Sequence, residues 1–342
     1  MANLLDIRRR IRSVINTRQI TKAMKMVSAA RLRRAQERAL SARPYSQMLT
    51  NVLQSLTKRT EIYDPETGEA RHPLLARREE NKILVVVVTG VRGLAGAFNT
   101  NIAKATLRFL DTKAGKTIDI ETVGRKGRDF LKRRYPSDGD TRRDGIRLGA
   151  DHSAALAKAE FNTAEEIAQS IIKRYTRGEI DSVYLIYNEF KSVIAQRLVV
   201  DEILPIDEIG VADIRMVEET GGDERKRRVE AAATAGVSVH EADTRHIDER
   251  AAQIATADVD YIYEQPADEL FHSLLPKYVA LQIHRAMMES VAAEHAARMT
   301  AMDAATNNAS DMIDSLTLQM NRIRQAKITK EIIEIVSGAA AQ

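Results

Sequence analysis

The sequence predicts an α/β protein: a long antiparallel coiled coil of N- and C-terminal helices, plus a small Rossmann-like α/β domain. Three stretches carry this expectation. Residues 277 to 337 contain neither glycine nor proline and are dominated by strong helix formers; a helix of that length runs roughly 90 Å at about 1.5 Å per residue, wider than any ordinary globular core. Residues 3 to 56 form a second such stretch, broken only by Pro44. Between them, Lys82–Thr89 (KILVVVVT) is an unbroken β-branched run, read as a strand buried on both faces. Two long helices at opposite chain ends, with everything else between them, imply a shaft carrying a head.

Each element follows in order. In the first helix, Leu4, Ile7, Ile11 and Val14 begin an apolar seam, and Ile20, Met24, Val27, Leu32 and Ala35 continue it after a phase slip. Pro44 marks a kink or the point where the helix leaves its partner. Pro65, Gly68 and Pro73 mark turns in a polar stretch from Thr60 to Asn81. After the first strand come a glycine-rich turn (90–96), a helix from Asn99 to Ala114, a strand from Thr117 to Val123 and a short helix ending near Tyr135. Residues 136 to 150 read as loop and 163 to 177 as helix. Ser182–Asn188 is a third strand, and Gln196–Leu204 a fourth at the sheet edge. The final helix is expected from Lys277, just after Pro276. Its seam has one row of Leu281, Met288, Met302, Leu316 and Ile323 beside another of Val291, Ala305 and Met312, interrupted by His295, Arg298 and Gln319. These readings divide the chain into an N-terminal shaft helix (1–58), a head (59–209), a polar inserted segment (210–256), and a foot segment with the C-terminal shaft helix (257–342).

Composition narrows the function. The chain has no cysteine, which excludes disulfides and thiolate chemistry, and no apolar run long enough to span a bilayer; it reads as soluble and cytoplasmic. Net charge is only +4, but residues 1 to 59 hold 14 Lys or Arg against Asp6 and Glu37. Such a helix suits nucleic acid, a membrane surface or an acidic protein partner. No aromatic residues interleave with Arg8, Arg9, Arg10, Arg12, Arg31, Arg33 and Arg34 to stack on bases, so nucleic acid is the less attractive partner. Strand, glycines and helix occur in the order of a phosphate-binding loop, but neither G-x-G-x-x-G nor G-x-x-x-x-G-K-[ST] is present. No metal-ligand pair, carboxylate cluster or nucleophile elbow is visible, so no catalytic residue, cofactor or metal is expected.

Five stretches carry a resemblance. They are 19–29 (QITKAMKMVSA), 93–99 (GLAGAFN), 187–190 (YNEF), 294–299 (EHAARM) and 328–341 (ITKEIIEIVSGAAA). In register along the chain, they resemble the γ subunit family of F-type ATP synthases, the central rotor shaft. Two departures stand out. Val91 and Ala95 occupy positions where the family usually has aspartate and cysteine, and residues 210 to 256 are longer than the common pattern.

The resemblance implies a non-catalytic rotor that couples proton flow through a membrane c ring to nucleotide chemistry on a ring of α and β subunits, with an ε subunit beside its head. It implies a peripheral location on the cytoplasmic face of the cell membrane. Contacts to the α/β ring are then expected from Arg9, Arg10, Lys22, Met24, Lys25, Arg31, Arg33 and Arg34. The apolar tip adds Ile328, Ile332, Ile333, Ile335 and Val336. Contacts to the c ring are expected from Tyr261, Tyr263 and Glu264. In the extra segment, expected to be a solvent-facing excursion with one or two short helices, Arg225, Lys226, Arg227 and Arg228 are candidates for a brake that docks on the ring. The alternatives to this reading are a basic coiled-coil adaptor for nucleic acid and a nucleotide-binding enzyme with helical arms.

Overall fold

The computed structural model describes residues 4–340 apart from 61–63, 65, 67–69, 138–140, 154, 158, 194–195, 211–212, 220–221 and 239–263. Its elements are α1 (Leu4–Thr57), β1 (Lys82–Val88), α2 (Phe98–Thr112), β2 (Thr117–Val123), α3 (Arg125–Leu131), β3 (Ile146–Asp151), α4 (Phe161–Thr176), β4 (Ser182–Phe190), β5 (Gln196–Leu204), β6 (Asp213–Glu219), α5 (Gly222–Ala235) and α6 (Ala267–Ala340).

The N-terminal helix follows a single heptad rhythm along its whole length. Ile7, Ile11, Val14, Arg18, Thr21, Lys25, Ser28, Leu32 and Ala35 succeed one another at alternating steps of four and three, and all are buried or half-buried. Ala39, Ala42, Ser46, Leu49, Leu53 and Leu56 continue the same stripe. The expected phase slip does not exist. Ile20 and Val27 are more than half exposed, and the seam instead passes through Arg18, Thr21, Lys25 and Ser28. Pro44 lies inside the helix.

The C-terminal helix also differs from expectation. It begins ten residues earlier, at Ala267, with Asp268 and Glu269 favourably placed in the first turn, and it contains Pro276. Its distal seam runs through Met302, Thr306, Ala309, Ile313, Leu316, Met320 and Ile323. Met312, expected in the second row, is 53% exposed. Thr306 donates to Thr21 at 2.8 Å and Lys25 reaches Asp303 at 2.6 Å. As the α1 number falls the α6 number rises, so the pair is antiparallel.

The sheet has the order β3-β2-β1-β4-β5-β6. Strands β3, β2, β1 and β4 run parallel, and β5 and β6 return antiparallel. The β1 run is buried on both faces, as its composition requires. Leu84, Val86 and Val88 join a core built with α4, α6 and the end of α1. Ile83, Val85 and Val87 pack with Phe98, Ile102 and Phe109 of α2. Full burial of each such side chain is worth about 1.5–3 kcal/mol. The head therefore packs directly around the lower shaft, and α6 from Tyr278 to Thr300 is mostly buried.

Two strands escaped the sequence reading. Strand β3 lies within a stretch read as loop; only Ile146 and Leu148 of it are buried, and Arg147 instead pairs with Asp119 of β2. Strand β6 lies in the segment expected to be a solvent-facing excursion, and its pairing with β5 moves the sheet edge outward. That segment also supplies α5, whose Ala231, Ala232 and Ala235 are buried with Val237 against Ala29, Leu32 and Ala35 of α1 and Ala292, Ala296 and Met299 of α6. Sequence alone missed this because three alanines carry little apolar signal, yet they allow close helix approach.

Candidate functional site

The residues singled out from sequence lie on the outer face of α1, the free end of α6, the turn after β1, the foot and the extra segment. On α1, Arg9, Arg10, Lys22, Arg31 and Arg34 are exposed, and Met24 is half-buried. Exposed Ile20 and Val27 give this basic face an apolar component. Arg33 is also exposed, but Lys25 does not belong to this face. Lys25 is 7% exposed and is committed to Asp303 and to Thr234 Oγ1, each at 2.6 Å. Arg33 donates to the carbonyls of Ala235, at 3.4 Å, and Gly236. Lys25 is used within the chain, contrary to the expectation that it faces a partner, whereas Arg33 is exposed and only one of its donors is taken by α5.

The end of α6 outruns its partner. With Thr21 opposite Thr306, the first described turn of α1 stands opposite residues near 323. Residues 324–337 are all exposed, a projection of about 20 Å at ~1.5 Å per residue. Ile328, Ile332, Ile333, Ile335 and Val336 are 48%, 55%, 58%, 71% and 61% exposed. Charged neighbours pair along the helix, Lys327 with Glu331 and Lys330 with Glu334, each at 3.6 Å. A helix end with no partner among the described residues and five exposed branched aliphatics is a surface that water solvates poorly.

The turn after β1 is a seat for α6. Gly90 N–H donates to Asn99 Oδ1 at 2.9 Å, and Lys126 N–H donates to Gly90 O at 3.1 Å. From α6, Arg298 donates to Gly93 O at 3.2 Å and to Arg92 O at 3.4 Å while pairing with Glu294. A Cβ at Gly90 would lie 2.9 Å from the Glu294 carboxyl carbon, so any larger residue here would push the Glu294 side chain out of its place. Gly96 adopts φ 56°, the left-handed region that glycine tolerates. Ala95 is buried and Val91 packs against the core. The backbone here is arranged around an arginine, with the Arg92 and Gly93 carbonyls turned toward Arg298. His295 lies beside the clamp; burial, together with the charges of Arg298 and Arg31, lowers its pKa to about 4.

Two charge networks in the head were invisible in sequence because their members are far apart along the chain. Asp119 accepts from Arg142, Arg147 and Arg174, and Glu121 from Arg174. Burial opposes the Asp119 charge, but the arginines prevail and its pKa falls below the usual range. Glu80 gathers Lys113, Lys116, Ser182 and Tyr184. Burial raises its pKa, and the hydrogen bonds overcome this to hold it at about 2. Both networks tie strands and helices together. Among the described residues no group of His, Asp or Glu could hold a metal ion, and no described helix is long and apolar enough to cross a membrane.

Of the foot residues, Glu264 is exposed, whereas Tyr261 and Tyr263 lie outside the described residues. In the extra segment, Lys226 and Arg227 are exposed and Arg225 is half-buried. Arg228 is 6% exposed and pairs with Glu224 at 2.6 Å, so it cannot dock on a partner as expected.

A family model described as ATP synthase matches residues 3–342. The chain is 46% identical over 341 residues to the ATP synthase gamma chain of Solibacter usitatus, covering 100% of this chain and 99% of the relative. It is 43% identical over 343 residues to that of Anaeromyxobacter sp. strain Fw109-5, with 100% and 99% covered. The chain belongs to the ATP synthase gamma family. Its gamma-type fold is shared with a chain in the central stalk and c-ring structure of the Tetrahymena thermophila mitochondrial ATP synthase (TM-score 0.51, 22% identity, 84% of this chain and 99% of that one). A chain in the Euglena gracilis mitochondrial enzyme is similar (TM-score 0.55, 18% identity, 99% and 94%). Two of the stretches that carried the resemblance, 93–99 and 294–299, meet in this gamma-type fold, where Arg298 holds the turn on the shaft.

Proposed function

We propose that this chain is the central rotor shaft of an F-type ATP synthase, transmitting torque between a proton-driven c ring and a catalytic ring of α and β subunits. The chain itself is non-catalytic. Its ε partner sits beside the head, and its membrane association is peripheral, on the cytoplasmic face, through the complex only. The observation that carries the reading is the projecting end of α6, with aliphatic side chains exposed around a single helix. Inside an apolar sleeve, such a tip gains from burial at every rotational angle, because apolar contact is non-directional and no oriented hydrogen bonds break as it turns. The basic face of α1, with Arg9, Arg10, Lys22, Arg31 and Arg34, meets acidic loops of the catalytic ring. Glu264, with Tyr261 and Tyr263, meets the polar loops of the c ring.

The experiment is Ile332→Asp with Ile335→Asp in the assembled enzyme. Two carboxylates entering an apolar sleeve should impair assembly or ATP-driven rotation. Normal assembly together with normal rotation would contradict the bearing.

A further inference from the structure

Helix α5 belongs to the extra segment, 210–256, and its buried face packs mainly on the shaft, with Val193 and Phe190 of the head at its side. Its inner face buries Ala231, Ala232 and Ala235, followed by Val237, in the groove between α1 and α6. It ends on Gly236 at φ 64°, with Val237 N–H returning to Ala232 O at 2.9 Å and Gly236 N–H to Ala233 O at 3.2 Å. This closing turn satisfies the last carbonyls and folds Val237 inward. Arg33 of α1 donates to the carbonyls of Ala235 and Gly236 at that same end.

The decisive contact is Lys25. From the α1 seam its ammonium reaches Asp303 of α6 and Thr234 of α5, both at 2.6 Å. The Lys25 and Asp303 side chains are only 9% and 13% exposed. Alanine packed on alanine resists neither sliding nor rotation strongly, because the contact is non-directional. An ammonium with two fixed acceptors on different helices resists both, and a polar group in a coiled-coil seam is well suited to fixing register.

We propose that α5 is a splint of the rotor, turning with the shaft, and that Lys25 is the positioning residue that holds α1, α5 and α6 in one angular register. This rests on the rotor reading and replaces the idea of a segment docked on the stationary ring. Lys226 and Arg227 then face outward from a moving part.

The test uses the assembled enzyme, with beads attached to Lys226→Cys on α5 or to Glu264→Cys at the foot, in complexes whose other subunits carry no accessible cysteine; this chain has none of its own. Both beads should turn through the same steps during ATP hydrolysis. Thr234→Val should broaden the angular spread of the α5 bead and leave that of the foot bead and the hydrolysis rate unchanged. Lys25→Met should lower the number of protons moved per ATP, and the exchanged pair Lys25→Asp with Asp303→Lys should restore it. If the foot bead turns while the α5 bead stays fixed, the splint is wrong and the rotor reading stands. If neither turns while ATP is consumed, both are wrong. Equal coupling in Lys25→Met and the native enzyme would remove the positioning role, and a swapped pair no better than the single variant would do the same. Should Lys25→Met fail to assemble, the Thr234→Val comparison decides alone.

Discussion

Replacing Arg298 with methionine should be among the most damaging single changes in the chain. Arg298 and Glu294 are paired with side chains only 9% and 7% exposed, and Arg298 also supplies donors to the Gly93 and Arg92 carbonyls. Methionine fills similar space but leaves a carboxylate buried without its counter-charge. Breaking a buried pair from one side costs about 3–5 kcal/mol, against a total stability of roughly 5–15 kcal/mol for a domain. The turn carbonyls lie nearer the surface, where water replaces the lost donors, and so add little. Urea unfolding of the full chain should show that loss as a lower midpoint with an unchanged slope. Changing Glu294 to glutamine in the same chain should recover much of it, because the orphaned charge is gone. His295 supplies an independent reading. Burial is the larger cause of its low pKa and the Arg298 charge the next, so its titration should move upward in Arg298→Met. A single-variant loss under about 1 kcal/mol would refute a buried, energetically important clamp.

Acid should destabilise the protein in two stages. His72 and His295 are each lowered from 6.5 to about 4, chiefly by burial, so they are neutral in the fold and bind protons more readily when unfolded. Their contribution is complete above pH 6.5 and is lost as pH falls toward about 4. Glu80, lowered from 4.5 to about 2, adds a further loss between those values. A urea midpoint that stays flat from pH 7 to 5 would contradict the first stage. Replacing residues 213–255 with a short glycine linker should lower the melting temperature, because it removes β6, α5 and the buried Val237; burying a valine is worth about 1.5–3 kcal/mol. An unchanged melting temperature would mean the segment is only a tolerated insertion. Met24→Lys adds charge at a half-buried position flanking the α1 seam and should lower the protons moved per ATP, measured in inverted vesicles; an unchanged ratio would count against that part of α1 meeting the ring.

What could be read from the sequence follows from the physics of each element. Long glycine-free helices and the run from Ile83 to Val88 announce themselves because propensity, period and burial agree. The shaft register was misread where those signals conflict. Ile20 and Val27 are apolar yet point outward, while Lys25 is charged and buried because Asp303 and Thr234 await it far away in the chain. Burial of a charge depends on its partner, and no local pattern reveals the partner. The same reason hid β3, whose Arg147 serves Asp119; a short helix was expected where α5 lies, but its burial on the shaft was not legible, because its alanines pack by being small. The tip was legible since Ile332, Ile333, Ile335 and Val336 span more of the helix than one partner covers. The role of Arg298 needed the fold, which brings it to the glycine turn about 200 residues earlier.

The central claim is that the chain turns as a shaft inside a ring. Its most direct measurement is single-molecule observation of a bead on Glu264→Cys, with the α/β ring fixed to glass and ATP supplied. Continued rotation in one direction, slowing as ATP is withdrawn, is the predicted result. ATP consumed at the normal rate by assembled complexes whose beads do not turn would contradict the account.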